Sequence, residues 1–322
     1  MLQIKIQMEN RINQREKISP FNNAVILLDK SGGKTSFELI SEVKRIIGIK
    51  KIGHSGTLDK FATGLMVLCT GNATRLTRFF IEDDKRYRGR IKLGIETDTC
   101  DITGRVVSEK QCLKIDWEGA INTLSQFSGE IIQVPPKFSA LKINGKRASD
   151  RVRSGEDIDL AGRKIKIYSI DITGIDERKN YIDFDIFCSK GTYVRSVARD
   201  FGEKTGTGAC LTELRRVSSG TFDIRQAVTI EELRQFKENN DCINKSFLLK
   251  PADALQDFSR IAINDSGRGK VLNGAPFKRG DIISLEMRNR NFCMITDDSE
   301  NLIAIAEIDI DKWIIAYYCV FN

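Results

Sequence analysis

The chain has 322 residues, of which 41% are hydrophobic and 30% charged, and its formal net charge is +7. This length favours two domains, one of them large, and the basic balance favours a polyanionic partner. The composition argues against a membrane-spanning helix, because no apolar run approaches the roughly 20 residues that a span needs, and against a structural zinc site, because there is one histidine and no cysteine cluster.

The N-terminal segment 1–20 is polar and charged and lacks a continuous apolar stretch, so it does not have the pattern of a secretory signal. We expect it to be a short extension. The eight cysteines include no C-x-x-C pair. Scattered thiols in a chain without an export signal fit a reducing compartment, and we therefore expect a cytoplasmic protein.

The first predicted element is a buried strand over 24–29, followed by a turn at 30–33. An amphipathic helix over Phe37–Ile47 comes next, and either Thr35 or Ser36 can cap it.

The piece Gly33-Lys34-Thr35 is similar to the end of a phosphate-binding loop. The Walker pattern needs a further glycine five residues before its second glycine, and Leu28 occupies that position here. Without that glycine the backbone cannot wrap around a phosphate. We therefore do not expect nucleotide hydrolysis.

The rest of the chain mixes both periodicities. The apolar spacing predicts strands over 65–69, Arg86–Leu93 and Tyr181–Cys188, and helices over Ala73–Phe80, Trp117–Phe127, Val197–Lys204, Leu211–Val217 and Thr229–Phe236. Such a mixture with hairpin-like spacing indicates an α+β fold with a large, mostly antiparallel sheet and flanking helices. From about residue 259, short alternating segments separated by turns predict a small β-rich C-terminal domain.

The predicted organisation has four parts: an extension at 1–20, a main domain at 21–257, an insertion at about 133–156 within it, and a C-terminal domain at 258–322. The insertion begins near Pro135-Pro136 and is basic, with six Lys or Arg residues against one Asp between Lys137 and Arg153. A second basic run, with seven Lys or Arg residues, lies between Arg75 and Lys92. A charge run often only forms a solvated face, but two of them on either side of a candidate site favour a phosphate backbone.

The most informative motif is the Asp59 segment, residues 53–65, which reads Gly-His-Ser-Gly-Thr-Leu-Asp-Lys-Phe-Ala-Thr-Gly-Leu. It contains the only histidine of the chain, His54, and one acidic residue among small and apolar neighbours. An apolar run follows, so the segment is expected to form a loop held against buried structure. Asp59 could cap the next helix, or it could serve chemistry.

The Asp59 segment resembles the GHTGTLDPLATGLL signature of the TruB family, the tRNA pseudouridine-55 synthases. Five further blocks in the same order resemble that family, and together with the segment they span roughly residues 25–220. They are Leu27–Lys30, Asp84–Tyr87, Leu93–Asp101, Pro135–Lys142 and Cys188–Ser196. The resemblance implies a pseudouridine-synthase fold, with 21–257 as the catalytic domain, and isomerisation of uridine to pseudouridine at position 55 in the T loop of tRNA.

The resemblance also implies roles for individual residues. It makes Asp59 the catalytic nucleophile, Arg195 its charged partner, and Tyr87 the ring that stacks on the target base and assists proton movement. It places His54 on the substrate, where it helps to displace the uridine from its stack. The further residues that it assigns to substrate binding are Tyr193, Leu214, Lys30 and Lys142.

Each of these residues has a simpler interpretation. Arg195 could be a surface phosphate contact, Tyr87 plain core, and Leu214 a helix-packing residue. A Ser/His/Asp hydrolase is also conceivable because Ser55 adjoins His54, but nothing resembles a nucleophile elbow or an oxyanion loop. The six ordered blocks favour the family roles over these alternatives.

The chain departs from the family pattern at four places. Ser31 and Lys60 stand where prolines are usual, Phe138 where a tyrosine is usual, and Ser149 where the insertion usually has a tyrosine. None of these positions belongs to the Asp59, Tyr87 and Arg195 set. We therefore expect the departures to affect substrate affinity before chemistry.

The resemblance further implies tRNA, through its T arm, as the partner, and no cofactor or metal, because the isomerisation needs no redox change and no phosphate donor. The C-terminal domain resembles a PUA-type RNA-binding module, mainly by its position. We expect a monomer without an obligatory protein partner or membrane attachment. Two rivals are a non-catalytic RNA-binding or tRNA-folding protein on the same scaffold, and a subunit of a guide-RNA ribonucleoprotein.

Overall fold

The computed structural model describes residues 19–110, 114–143, 145–239, 245–288, 291–309 and 311–321. It confirms the α+β architecture, with a ten-stranded sheet and helices packed against it, and a separate five-stranded sheet near the C-terminus. Most of the expected extension at 1–20 lies outside the described residues. Within the described ranges, no helix combines the length and the apolar character that crossing a membrane requires.

The described strands range from two to 14 residues in length. In chain order they are β1 (Val25–Lys30), β2 (Ile52–His54), β3 (Thr63–Thr70), β4 (Lys85–Leu93), β5 (Ile95–Thr97), β6 (Val106–Glu109), β7 (Gly129–Gln133), β8 (Lys142–Ile143), β9 (Lys146–Arg147), β10 (Arg163–Asp176), β11 (Tyr181–Cys188), β12 (Ala209–Ser219), β13 (Phe222–Asp223), β14 (Leu248–Leu249), β15 (Ser259–Ile263), β16 (Ile282–Glu286), β17 (Phe292–Thr296), β18 (Leu302–Asp309) and β19 (Ile314–Val320). The two longest strands, β10 and β12, both belong to the large sheet, where β12 lies between β3 and β4 and β10 lies next to the edge strand β7.

The order across the large sheet is β14-β1-β3-β12-β4-β11-β10-β7, with β2 paired to β3 and β13 to β12. Among the described strands of this sheet, neighbours run antiparallel except β3 and β12, which are parallel. The hairpins β5–β6 and β8–β9 lie outside it. The second of these two hairpins, β8–β9, belongs to the predicted insertion.

The α-helices lie between these strands. They are α1 (Ser36–Ile47), α2 (Thr77–Ile81), α3 (Trp117–Ser125), α4 (Ala148–Arg153), α5 (Val194–Lys204), α6 (Ile230–Asn239) and α7 (Asp265–Leu272). Helix α1 shows why the chain folds as its pattern predicts. Thr35 caps it, since the Thr35 hydroxyl accepts from the Glu38 N–H at 3.2 Å while the Glu38 carboxylate accepts from the Thr35 N–H at 2.7 Å. The helix ends at Gly48, whose φ of 76° few other residues adopt.

The stretch predicted as a helix over Leu211–Val217 is part of strand β12, so that prediction is wrong. Leu211 and Leu214 are three residues apart, which suits a helix. In the structure two bulges in the pairing with β4, within 211–213 and 216–218, interrupt the alternation of the strand and bury both leucines. The pairing of β12 with strands on both sides therefore overrides the local pattern. The other predicted helices and strands are present close to their expected positions.

The expected β-rich C-terminal sheet is confirmed, in the order β16-β15-β17-β18-β19. Helix α7 packs against it. Phe79 of the large-sheet core meets Phe258, Phe292 and Tyr318 edge-on, with ring centroids 5.0 to 5.3 Å apart. Aromatic packing therefore joins the two sheets. The exact domain limits, including the one between residues 257 and 258, stay predictions.

Gly64 illustrates how closely β3 and β12 approach each other. Its φ is +104°, and a Cβ atom there would lie 2.3 Å from the carbonyl oxygen of Arg216. We expect Gly64→Ala to lower the free energy of unfolding by roughly 3 kcal/mol, because both the backbone conformation and the strand contact must change. Urea denaturation measures this. Gly269→Ala, where a Cβ meets no atom within 4 Å, is the control, and equal losses in both variants would contradict the expectation.

Candidate active site

A cavity of about 340 Å³ lies beside the centre of the large sheet. Six parts of the chain line it: the Asp59 segment, the end of helix α2, strand β4, the insertion, the start of helix α5 with the loop before it, and strand β12. The predicted site residues that the cavity brings together are Asp59, Tyr87, Tyr193, Arg195 and Leu214. Three further predicted residues, His54, Lys30 and Lys142, do not line it.

Helix α1 holds the middle of the Asp59 segment, which joins β2 to β3. The Ser36 hydroxyl donates to the Leu58 carbonyl and accepts from the Leu58 N–H, both at 3.0 Å. Both residues are buried, so water does not compete for these bonds. The residue next to Leu58 is Asp59, whose backbone is thereby fixed to the scaffold.

Lys30 supports the Asp59 segment from behind. Its side chain is fully buried, and its ammonium donates to the carbonyls of Ala62 at 2.5 Å and Lys60 at 3.3 Å. Burial lowers the pKa of Lys30 to about 8, although the charge of Asp59 opposes this shift. This position indicates that Lys30 shapes the loop and supplies positive charge near Asp59, while its predicted contact with substrate stays a prediction.

Arg195 forms a fork with Asp59 on the cavity floor. It is the second residue of helix α5 and only 4% exposed. Its Nη2 donates to Oδ1 of Asp59 at 2.9 Å, and its Nε lies 2.8 Å from Oδ2. The Asp59 side chain keeps 37% exposure. The carboxylate is thus oriented from one side and open to the cavity on the other.

The same guanidinium binds three other groups. It donates to the carbonyls of Thr99 at 2.9 Å and Phe138 at 3.1 Å, and its Nη1 lies 3.4 Å from the carboxylate of Asp101. Asp101 is 3% exposed and accepts from the Thr103 N–H at 2.9 Å. Arg195 therefore serves two carboxylates and ties three loops together.

Burial raises the pKa of the Asp59 carboxyl above its ordinary value of 3.8, and the negative charge of Asp101 adds to the rise. The positive charges of Arg195 and Lys30 lower this pKa. The two effects oppose each other, as expected for a carboxylate that is kept ionised in a partly dry pocket. A carboxyl group in such surroundings is typical of a functional site.

Two tyrosines form walls of the cavity. Tyr87 is the third residue of β4, and Tyr193 precedes helix α5. Gln133 clamps the backbone of Tyr193, because its amide oxygen accepts from the Tyr193 N–H at 2.8 Å and its NH₂ donates to the Tyr193 carbonyl at 3.1 Å. Leu214 is buried on β12 and adds an apolar surface. Flat rings beside an apolar patch suit a stacked planar ligand.

Arg216 and Lys85 complete the lining and were not among the predicted site residues. Arg216 is 2% exposed, and its Nε donates to the Leu65 carbonyl at 2.7 Å. The ammonium of Lys85 donates to the Ile81 carbonyl at 2.8 Å, and burial lowers its pKa to about 8. Both residues adjoin predicted ones, Lys85 in the block of Tyr87 and Arg216 after Leu214. Their approach to the cavity depends on the strand register and could not be predicted from the sequence.

His54 and Lys142 lie away from the cavity lining. The Nδ1 atom of His54 accepts from the Gly56 N–H at 3.2 Å, which fixes the ring at the start of the Asp59 segment, and burial lowers its pKa. Lys142 is exposed on strand β8 of the insertion. Within the described residues the buried hydroxyl of Ser55 has no hydrogen-bond partner, so the Ser–His bond that a hydrolase would need is not formed.

Comparison with known proteins finds two matching family models and close relatives in sequence. Residues 44–194 match the model of the TruB family pseudouridylate synthase (N terminal domain), and residues 195–256 match that of the tRNA pseudouridylate synthase B C-terminal domain. The tRNA pseudouridine synthase B of Clostridium tetani is 39% identical over 256 residues, covering 80% of this chain and 86% of the relative. That of Prochlorococcus marinus is 36% identical over 307 residues, covering 92% and 96%.

Solved structures give the same fold. A chain in the structure of an H/ACA RNP bound to a substrate RNA containing 2'-deoxyuridine superposes with a TM-score of 0.73 at 22% identity, covering 96% of this chain and 88% of that chain. A chain of the archaeal box H/ACA sRNP Nop10-Cbf5 complex gives 0.70 at 24% identity, covering 96% and 88%. At this identity the likeness concerns the fold alone.

Proposed function

The chain belongs to the TruB family of pseudouridylate synthases and is an isomerase, and we propose that it converts uridine 55 in the T loop of tRNA to pseudouridine with Asp59 as the nucleophile. The observation that carries this proposal is the Asp59 carboxylate, oriented by the Arg195 fork at 2.8 and 2.9 Å and open to a cavity with tyrosine walls. A side chain that only capped a helix would not need a buried guanidinium of its own.

The reaction balances within the nucleotide. The C1′–N1 glycosidic bond breaks, a C1′–C5 bond forms, a proton leaves C5 and a proton is gained at N1. Neither an oxidant nor a phosphate donor enters this balance, so we expect no cofactor. The protein has to stabilise the cleaved state and to hold the freed uracil while it turns.

Asp59 suits the first task. Its ionised oxygen can attack C1′ or remove a proton from the sugar, and both routes need an unprotonated carboxylate. Arg195 donates to one side of the carboxylate and leaves the other side free. The guanidinium also lies 3.4 Å from Asp101, so that one buried cation stands between two carboxylates in a small volume.

The cavity suits the second task. Its volume of about 340 Å³ lies at the lower end of the range for sites that enclose a small molecule, about 300 to 1,000 Å³. Tyr87 and Tyr193 offer aromatic faces for the extruded base, and stacking worth about 1 to 3 kcal/mol per base offsets much of the cost of flipping. We assign Tyr87 to stacking and proton movement. We assign His54, near the start of the Asp59 segment, to displacing the uridine.

The insertion supplies a surface for the T arm. Its residues Ala140 and Leu141 reach the cavity, while Lys142, Lys146 and Arg147 are exposed on the adjoining hairpin. Positive side chains at that position fit phosphates around a splayed loop, which would be recognised by shape. We assign a second RNA contact to the C-terminal sheet, and we propose that the protein acts as a monomer in the cytoplasm without an obligatory partner.

The rival hypothesis, a non-catalytic RNA-binding protein, explains the basic surface but not the cluster of Asp59, Arg195 and Asp101 at the cavity. A protein that only bound or refolded tRNA would gain nothing from holding the partly exposed Asp59 against the buried Arg195 and Asp101, which costs desolvation of these charges. An enzyme needs this arrangement to orient its nucleophile, so catalysis accounts for the desolvation cost. Folding assistance could still accompany the reaction on the same tRNA surface.

The direct test uses an unmodified tRNA transcript tritiated at C5 of uridine, incubated with the purified protein and no added cofactor. We expect tritium release of about one equivalent per tRNA, lost when uridine 55 of the transcript is replaced by cytidine. Tight tRNA binding without release would favour the binding protein. Tritium release that persists with the cytidine transcript would still support uridine isomerisation but would overturn the assignment to position 55.

Activity is expected to fall in acid as Asp59 takes up a proton. Because burial raises its pKa, the acid limb of kcat/KM should have its midpoint above 3.8. The charge of Asp101 contributes to the rise, so Asp101→Asn should move the limb to lower pH by roughly half a unit to one unit. Initial rates of tritium release at low tRNA concentration measure both. Asp98→Asn, outside the cavity, is the control, and a limb that moves equally in both variants would contradict the assignment.

A further inference from the structure

Arg216 is a buried cation whose contacts are not explained by the chemistry of Asp59. It is the largest of the fully buried side chains, 2% exposed, and it lines the cavity beside Tyr87. The buried Arg195 has two carboxylates within 3.4 Å, whereas none of the ion pairs among the described residues includes Arg216. Burying a guanidinium without a carboxylate partner costs desolvation free energy. We therefore expect Arg216 to have a function in the cavity.

The strand register puts Arg216 beside Tyr87. The two residues are direct partners in the antiparallel pair β4 and β12. The Nε of Arg216 donates to the Leu65 carbonyl at 2.7 Å and its Nη2 to the Gly56 carbonyl at 3.3 Å. Both carbonyls belong to the Asp59 segment, so the guanidinium is fixed between that segment and the ring. Three of its five N–H groups remain for other acceptors.

We propose that Arg216 is a positioning residue that sets the direction of the Tyr87 hydroxyl. An arginine can only donate, so the phenol oxygen accepts from it and the phenol proton turns toward the cavity. Tyr87 then meets the base as a proton donor. This inference rests on the proposed function, since it assigns the group that orients Tyr87 during the isomerisation.

The electrostatics agree with the geometry. Burial raises the pKa of Tyr87, and both the charge of Arg216 and its hydrogen bond to the phenol lower that pKa. The charge of Arg216 also lowers the pKa of Lys30 and of Lys85. The guanidinium therefore acts on several titratable groups in and around the cavity, and of these three Tyr87 alone also takes a hydrogen bond from it. A phenolate formed after proton donation would be stabilised where it arises.

The test compares Arg216→Gln with its strand neighbour Arg215→Gln. Arg215 pairs with Asp29 at 2.6 Å and does not line the cavity. At saturating tRNA we expect Arg216→Gln to lower kcat roughly 10²-fold and to move the alkaline limb of kcat up by about one pH unit, because the pKa of Tyr87 rises. Arg215→Gln should change neither. A loss of rate with an unmoved limb would overturn the proposal, since a purely structural defect lowers the rate at every pH.

A double variant adds a second criterion. If Arg216 acts through Tyr87, then Arg216→Gln should lower kcat by less than about threefold in a Tyr87→Phe background. Fully multiplicative losses would overturn the proposal. Should Arg216→Gln fail to fold, Arg216→Lys keeps the charge and loses the planar fork. That variant should lower kcat while leaving the alkaline limb within about half a unit of its normal position.

Ultraviolet titration separates this inference from the proposed function. The absorbance change of each protein minus that of its Tyr87→Phe counterpart gives the ionisation of Tyr87 alone, without any substrate. We expect this titration to move to higher pH in Arg216→Gln and to stay in place in Arg215→Gln. A protein that released no tritium from tRNA would refute the proposed function and leave this result intact, whereas an unmoved titration would refute the role of Arg216.

Discussion

Asp59→Asn is expected to lower kcat by at least about 10⁴-fold while leaving the Kd for tRNA within about threefold. The amide keeps the shape of the carboxylate but has neither its charge nor its nucleophilicity. The tyrosine walls and the basic insertion remain as they are, so binding should survive. Single-turnover tritium release gives the rate, and filter binding gives the affinity.

The stability of this variant distinguishes lost chemistry from lost structure. Burial raises the pKa of Asp59, which means that the ionised form destabilises the folded protein at neutral pH. A neutral asparagine removes that cost, and Arg195 keeps its contact with Asp101. We therefore expect the Tm of Asp59→Asn to equal or exceed that of the unaltered protein. A residual rate above about one hundredth, with an intact fold, would remove Asp59 from the role of nucleophile.

Arg195→Met is expected to damage both stability and activity. It leaves Asp59 and Asp101 without their common cation and leaves the carbonyls of Thr99 and Phe138 without a donor. Breaking a buried ion pair in this way costs about 3 to 5 kcal/mol, and kcat should fall about 10³-fold. Urea denaturation at neutral pH and tritium release measure the two effects.

The pH dependence of this loss has a definite sign. Without Arg195 the pKa of Asp59 rises further, so the folded variant binds more protons than the unfolded chain and loses stability as pH increases. The deficit should therefore be smaller near pH 5 than near pH 8. Arg199→Met, one turn further along helix α5, is the control, since Arg199 is 32% exposed and pairs with Asp200. A deficit that did not vary with pH would contradict the two-carboxylate account.

A second substitution should separate the two effects of Arg195. In Arg195→Met/Asp101→Asn one of the orphaned charges is gone, and we expect a large part of the lost stability to return. The rate should not return, because Asp59 still lacks the fork that orients it. Recovery of both would mean that Arg195 only compensates charge.

Asp59, Tyr87 and Arg195 could be predicted because each lies within a short block whose neighbouring residues match the family pattern. The geometry brings these three into one cavity, although their individual roles stay predictions. Asp101 closes one of the same blocks, yet its contact with Arg195 depends on how two distant loops fold. Nothing in the local pattern distinguishes a carboxylate that touches a guanidinium from one that faces water.

The wrong helix over Leu211–Val217 and the missed Arg216 have one physical cause. Leu214 and Arg216 are two residues apart with unbroken pairing to β4, so they share the cavity face in a strand but would not share a face of a helix. The bulges on either side obscure this alternation, and each bulge is a property of the pairing between strands. The sequence pattern of one strand, taken without its partner strand, does not show where a bulge lies. The same limit applies to Gln133, which reaches the site only through the backbone of Tyr193.

The central position of β12 has a consequence for how the protein is made. Its partners β3 and β4 end more than a hundred residues earlier in the chain, and the Arg195–Asp59 hydrogen bond closes a separation of 136 residues. While the chain leaves the ribosome, both strands present bare edges to any neighbouring nascent chain until β12 inserts between them. Such distant pairings also close slowly. Aggregation during synthesis, rather than unfolding afterwards, is therefore the main hazard of this topology, and a chaperone that shields those edges would act before β12 emerges.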